Sequence, residues 1–75
     1  MSSTKNKKPL TARERECLGL AAQGFASKHI AAKLGIREAT VTYHFGNAIR
    51  KLGAINRTGA VAVAIRRGII LNDET

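Results

Sequence analysis

The chain has 75 residues and one cysteine, which predicts one small domain without an internal disulfide and without room for a large substrate pocket or a cofactor domain. No apolar run is long enough to cross a membrane, and the N-terminus lacks a signal-peptide stretch, so we expect a cytoplasmic protein. The net charge of +8 favours nucleic acid or an anionic membrane surface as partner, with an ordinary soluble basic protein as the alternative. The three aromatic residues are too few for a single-strand binder that stacks bases, which favours a duplex.

Both ends of the chain are polar. Residues 1–9, MSSTKNKKP, predict a disordered basic tail. A basic arm can enter a minor groove, and a solvated tail is the alternative interpretation. Residues 72–75 predict a frayed C-terminus, so the folded domain is expected over residues 10–71.

The middle of the chain predicts four helices. The first begins with Thr11 as N-cap and Glu14 three residues later, which is a capping box, and it ends at Gly24. Its core residues recur at helical spacing: Cys17, Leu18, Ala21 and Ala22. The second helix begins near Ser27, a favourable N-cap residue, and ends at Gly35.

The third predicted helix runs from Arg37 or Glu38 to Leu52 and ends at Gly53. The fourth begins after Asn56 and ends at Gly68. Strand signals are weak, because the helical period of 3.6 residues overrides the local β propensity of residues 41–45.

The second and third helices are separated only by residues 34–36, with a glycine that supplies the positive φ of a sharp turn. Ala31 is small where the third helix crosses. The apolar residues that join the two helices are Ile30, Leu34, Ile36, Val41 and Phe45. This layout is typical of a helix-turn-helix. A purely structural helical hairpin is the alternative.

At 100° per residue, the third helix divides into an apolar face and an opposite small, polar face. The apolar face, which must be buried, holds Val41, Phe45, Ala48, Ile49 and Leu52; the opposite face holds Ala39, Tyr43, Gly46, Asn47 and Arg50. Small residues allow a helix to enter a major groove, and Asn and Arg can contact bases or phosphates. A merely solvated face would usually carry more Glu and Lys.

The fourth helix has small residues all round. One face, suited to packing on the core, holds Ala60, Val61, Ala64 and Gly68; the other holds Gly59, Ala62, Val63 and Arg66. An apolar outer face on so small a domain indicates a dimer contact, and scattered surface alanines are the alternative.

Four segments together resemble the LuxR-type helix-turn-helix domain of bacterial transcription regulators. In chain order they are LTARERECLGLAAQG, IAAKLGI, ATVTYHFGNAIRKLGA and NRTGAVAVAIRRGII. The resemblance covers residues 10–71 and implies an all-α, four-helix domain. It also implies a sequence-specific transcription regulator that binds double-stranded DNA as a homodimer through the fourth helix, with the third helix in the major groove and the nucleoid as its location when bound.

The resemblance also implies roles for single residues. Ser27 and Lys28 look like contacts to the DNA backbone, aided by the helix N-terminus. Contacts to phosphates or groove edges are implied for Thr40, His44, Asn47 and Lys51. The positions at which family members vary their base-reading residues are Thr42, Tyr43 and Gly46.

The chain departs from the family pattern at three positions. Many members carry Lys or Arg at the places of Thr42 and Gly46, so fewer bidentate base contacts are expected here. Arg37 stands where Ser or Thr often caps the third helix; it cannot cap in that way but can reach a phosphate. The string VTYHFGN resembles the quorum-sensing branch, whose members bind acyl-homoserine lactones through a separate N-terminal domain, so we expect no small-molecule ligand in this domain.

Several residues are expected to be structural. Glu14 and Arg57 are typical of the family and could form a partly buried ion pair, Cys17 belongs to the core, and His29 lies on the surface. His29 and His44 lack metal-ligand spacing, and no catalytic constellation or phosphate loop is visible. We therefore expect no metal, no cofactor and no enzyme.

Two other functions are compatible with parts of the sequence. The promoter-reading region of a sigma factor shares the opening and the helix-turn-helix but not the HFGN and NRTGAV strings. A short interaction module could form mixed dimers through its fourth helix and antagonise a full-length relative, which the weak base-reading set at Thr42 and Gly46 permits.

Overall fold

A computed structural model describes residues 9–70, and this part of the chain forms four α-helices and no strand. They are α1 (Ala12–Ala22), α2 (Ser27–Leu34), α3 (Glu38–Leu52) and α4 (Arg57–Arg66). The predicted all-α fold is confirmed. The predicted tail up to residue 8 and the predicted frayed end lie outside the described residues.

Side-chain caps begin two of the helices. The capping box of α1 is formed: the Thr11 hydroxyl accepts from the Glu14 amide at 3.1 Å, and the Glu14 carboxylate accepts from the Thr11 amide at 2.9 Å. At the start of α4, the Asn56 side chain accepts from the Gly59 amide at 2.8 Å.

The predicted cap of α2 is wrong. Ala26 is the N-cap residue, with extended backbone, and Ser27 is the first residue of the helix. The Ser27 hydroxyl is instead the acceptor of a long-range hydrogen bond from Arg57. Neither α2 nor α3 has a side-chain cap, as expected for Arg37 at the N-cap of α3.

The turn between α2 and α3 depends on left-handed backbone at Gly35, whose φ is +69°. The amides of Gly35 and Ile36 both donate to the carbonyl of Ala31, the second at 3.0 Å, and these bonds close the end of α2. Ala31 is buried, and α2 packs against α3. The glycine thus sets the direction in which α3 leaves the turn.

The core lies around α3, which packs against the other three helices. Its buried residues are Val41, Phe45, Ala48 and Leu52, while Ile49 is half-buried at the edge. Cys17 of α1 is fully buried, and this burial raises the pKa of its thiol. The thiol is therefore a core group, as predicted.

The predicted faces of α4 need correction. Ala60 and Ala64 are fully buried, but Val61 and Val63 are both half-buried, so they flank the buried line on its two sides. Because the helix ends at Arg66, Gly68 is an exposed residue beyond it and forms no part of a packed face.

Gly35→Ala is expected to lower the free energy of unfolding by about 1 kcal/mol, because an alanine is sterically disfavoured at positive φ. Gly19→Ala is the matched control: Gly19 lies within α1 with ordinary helical backbone and open space around it, so this variant should gain up to about 1 kcal/mol. Urea denaturation measures both, and equal shifts of the two variants would contradict the role assigned to Gly35.

Candidate nucleic-acid interface

The outward face of α3 brings together the residues predicted to contact DNA bases. Thr42, Tyr43 and Arg50 are exposed, with Tyr43 at 66% of its full accessibility. Gly46 and Asn47 lie on the same side and are half-buried. Because α3 buries its opposite face in the core, this surface is held on a rigid element.

Two contacts order this surface locally. The guanidinium of Arg50 donates to the side-chain oxygen of Asn47, one turn earlier on the helix. The ring of Tyr43 meets that of His44 edge to face, with 5.6 Å between the ring centroids. Arg50 therefore lies back along the helix, and its other guanidinium N–H groups bond no residue within the range 9–70.

Lys51 of α3 is engaged by α1. Its ammonium lies 2.8 Å from the Glu14 carboxylate and also donates to the carbonyl of Pro9 at 3.3 Å. The Glu14 side chain is only 3% exposed and that of Lys51 is 21% exposed. The predicted phosphate contact by Lys51 thus competes with a structural ion pair, and His44 and Thr40 are likewise half-buried.

The Glu14 carboxyl has a pKa below its ordinary value. Burial alone would raise this pKa, but the hydrogen bond from Lys51, the amide of Thr11 and the positive charge of Lys51 outweigh the burial. The carboxylate is therefore ionised at neutral pH, and its charge is neutralised inside the domain.

The expected ion pair between Glu14 and Arg57 is wrong. The guanidinium of Arg57 lies 3.8 Å from the centroid of the Phe45 ring and donates to the Ser27 hydroxyl at 2.8 Å. Arg57 therefore links the first turns of α4 and α2 to the core of α3. The sequence shows a basic residue at position 51 and another at position 57, but it does not indicate which of the two reaches Glu14.

The predicted backbone-contacting residues lie at the beginnings of α2 and α3. Lys28 and Arg37 are exposed, whereas Ser27 is half-buried and bonded to Arg57. His29 is exposed, as predicted. The first turn of α2 has no side-chain cap, which leaves its first amides available to an anion.

The predicted dimer residues occupy the outer side of α4 unevenly. Ala62 and Arg66 are exposed, while Gly59 and Val63 are half-buried. Ile55, just before α4, is 92% exposed and was not among the predicted residues. The sequence feature that could have indicated it is an isoleucine directly before the N-cap residue Asn56, outside the helical pattern that predicts core residues.

Other kinds of site find little support in residues 9–70. No three His, Cys, Asp or Glu side chains there are grouped as metal ligands would be. No helix of this range is long and apolar enough to cross a membrane.

Comparisons with known proteins agree on one family. The family model described as bacterial regulatory proteins of the luxR family matches residues 8–64. The quorum sensing-dependent transcriptional regulator RpaR of Rhodopseudomonas palustris is 51% identical over 61 residues, which cover 81% of this chain and 25% of RpaR. The chain thus spans about a quarter of the length of the curated relatives it matches.

Two solved structures have the same architecture. The transcription factor GerE superimposes with a TM-score of 0.82 at 39% identity, over 85% of this chain and 96% of GerE. The dimer of Vibrio cholerae VqmA, a LuxR-type receptor, gives a TM-score of 0.79 at 32% identity, over 93% of this chain and 32% of VqmA. The resemblance inferred from the four segments is confirmed, and the matched relatives are regulators and not enzymes.

Glu14→Gln is expected to lower the free energy of unfolding at pH 7 by about 2 kcal/mol, because it keeps an acceptor for Thr11 but removes the charge that Lys51 neutralises. The fold lowers the pKa of Glu14, so its stabilisation is complete above the ordinary value of 4.5 and is lost as pH falls through the lower, folded value. The difference between wild type and variant should therefore shrink below about pH 4.5.

Urea denaturation from pH 7 to pH 3 measures this effect. Glu16→Gln is the control, because Glu16 forms an exposed pair with Arg13 that contributes little. A pH-independent difference between wild type and Glu14→Gln would contradict the role given to the ion pair.

Proposed function

Because the chain belongs to the LuxR family of bacterial regulatory proteins and has its helix-turn-helix DNA-binding fold, we propose that it binds a specific, two-fold symmetric duplex as a homodimer. In this proposal α3 enters the major groove, and α4 supplies the dimer contact. The domain regulates transcription in the bacterial cytoplasm, bound to the nucleoid when it occupies its site.

The outward face of α3 carries this proposal. Beyond Glu38 at its first turn, no acidic residue lies on α3. Of the other acidic residues in the described range, Glu14 is buried against Lys51, and Glu16 is paired with Arg13 on α1. A DNA groove approaching Tyr43 and Arg50 would therefore meet polar and positive groups without repulsion from carboxylates.

Contacts to the DNA backbone are assigned to the helix starts. Lys28 and Arg37 are exposed, and the uncapped amides at the start of α2 can bond a phosphate oxygen. Ser27 donates its hydroxyl proton to that phosphate while it accepts from Arg57, which fixes its orientation. Thr40 and His44 serve as groove-edge contacts on the flank of α3.

The dimer is supported by the surface of α4 and by the VqmA relative, whose structure is that of a dimer. The small residues Gly59 and Ala62 allow two α4 helices to approach closely, with half-buried Val63 and exposed Arg66 at the edges of the contact. A two-fold arrangement of this kind sets the two α3 helices in half-sites about one helical turn apart.

Selection from a random duplex library, followed by salt titration, tests specific binding. We expect the selected duplex to be two-fold symmetric and to be preferred by roughly 10³-fold over a scrambled duplex. Arg50→Ala should weaken binding to the selected duplex at least tenfold and reduce the preference of the protein for that duplex over the scrambled one. Arg13→Ala removes the same charge from α1 and should have little effect on preference.

Equal, weak binding of all duplexes would contradict the proposal. Specific pairing with a full-length relative in that case would support the antagonist module instead.

The dimer contact is tested by Ala62→Asp. A charge buried between two α4 helices should weaken binding to the two-fold site at least tenfold, while binding to an isolated half-site stays unchanged. Ala12→Asp adds the same charge at an exposed position on α1 and should affect neither. Gel-shift titrations with the two duplexes provide the measurement, and an unaffected two-fold site in Ala62→Asp would exclude α4 as the interface.

A further inference from the structure

Gly46 is an unusual residue for its position. It lies in the middle of the 15-residue helix α3, with ordinary helical backbone. A glycine inside a helix costs up to about 1 kcal/mol relative to alanine, because it loses more backbone freedom on folding. A residue that destabilises its helix calls for a compensating reason.

No contact within the described part of the domain supplies that reason. A methyl group placed on Gly46 would meet only a guanidinium nitrogen of Arg50, at 4.0 Å, which is an ordinary van der Waals distance. Most other glycines differ, because four have positive φ, and a methyl group placed on Gly59 would lie 3.4 Å from the capping oxygen of Asn56. Only Gly19 on α1 is equally unconstrained.

The surroundings of Gly46 form a notch in the outward face of α3. Tyr43 precedes it by three residues and Arg50 follows by four, so both lie on its side of the helix. The bond to Asn47 holds the Arg50 guanidinium back towards Gly46, which accounts for the 4.0 Å approach. The floor of the notch is helix backbone, and one wall is a positively charged, planar donor group.

We propose that this notch accepts the major-groove edge of a guanine, which Arg50 reads while Asn47 orients it and the missing side chain of Gly46 admits the base. The O6 and N7 atoms of guanine are the acceptors that a guanidinium bonds in a bidentate way. Gly46 is then a specificity-determining residue because it has no side chain. This inference rests on the proposed function and adds the base that one position of the half-site must contain.

Gly46→Ala tests the notch, with Gly19→Ala as its matched control. Both variants should fold and unfold at a higher temperature than wild type, because alanine favours the helix in both places. Only Gly46→Ala should weaken binding to the selected duplex at least tenfold, while its affinity for a scrambled duplex stays within twofold of wild type.

Replacement of each half-site guanine in turn by 7-deazaguanine tests the base. Removal of N7 at one position should weaken wild-type binding about tenfold and leave the affinity of Arg50→Ala unchanged, since that variant no longer reads the atom. The sequence preference around that position should relax in Arg50→Ala.

The outcomes separate this inference from the proposed function. If wild type selects no site, the proposed function fails. If wild type selects a site but Gly46→Ala binds it as tightly, or no guanine is sensitive to loss of N7, the notch is overturned while specific binding stands. An Arg50→Ala variant that lowers the salt slope equally on all duplexes would assign Arg50 to a phosphate, which also overturns the notch.

Discussion

Burial of one face of α3 is the constraint on which the other features depend. Val41, Phe45, Ala48 and Leu52 turn inward against the remaining three helices, so the opposite side of the same helix must face solvent. In a domain this small the core is thin, and a single helix has to organise it. The helix that holds the fold together is thus also the one that presents the candidate DNA surface, which is how that surface becomes rigid without a separate scaffold.

Two cationic side chains fix α3 relative to its neighbours. Lys51 ties its last turn to the buried carboxylate of Glu14 on α1, and Arg57 of α4 covers the Phe45 ring while it holds Ser27 of α2. Both cations bear on the orientation of the candidate interface without lying at its centre. The basic residues of this domain therefore have two roles. Some of them join helices, and others, such as Lys28 and Arg50, are exposed to an anionic partner.

The two carboxylates of α1 are likewise engaged in ion pairs. A nearly buried Glu14 and a paired Glu16 hold their negative charge on α1, and the one acidic residue on α3 itself is Glu38, in its first turn. Beyond that first turn, the charged side chains of α3 are those of Arg50 and Lys51, which are both basic. The net charge of +8 alone says nothing about this distribution, which arises only when the helices pack.

The helices, the turn and the family can be inferred from the amino-acid sequence alone. The capping box at Thr11, the stop at Gly53 and the apolar period of α3 are local signals, encoded within a few residues of where they act. Four ordered segments likewise identified the family.

Which long side chains meet depends on how the helices pack. Lys51 lies 37 residues from Glu14, Arg57 lies 30 residues from Ser27, and the half-burial of Val61 and Val63 follows from how α4 sits on the core. The reason is physical: a helix pattern fixes the angle of each side chain about its own axis, but contacts between helices depend on their packing, which no local spacing records.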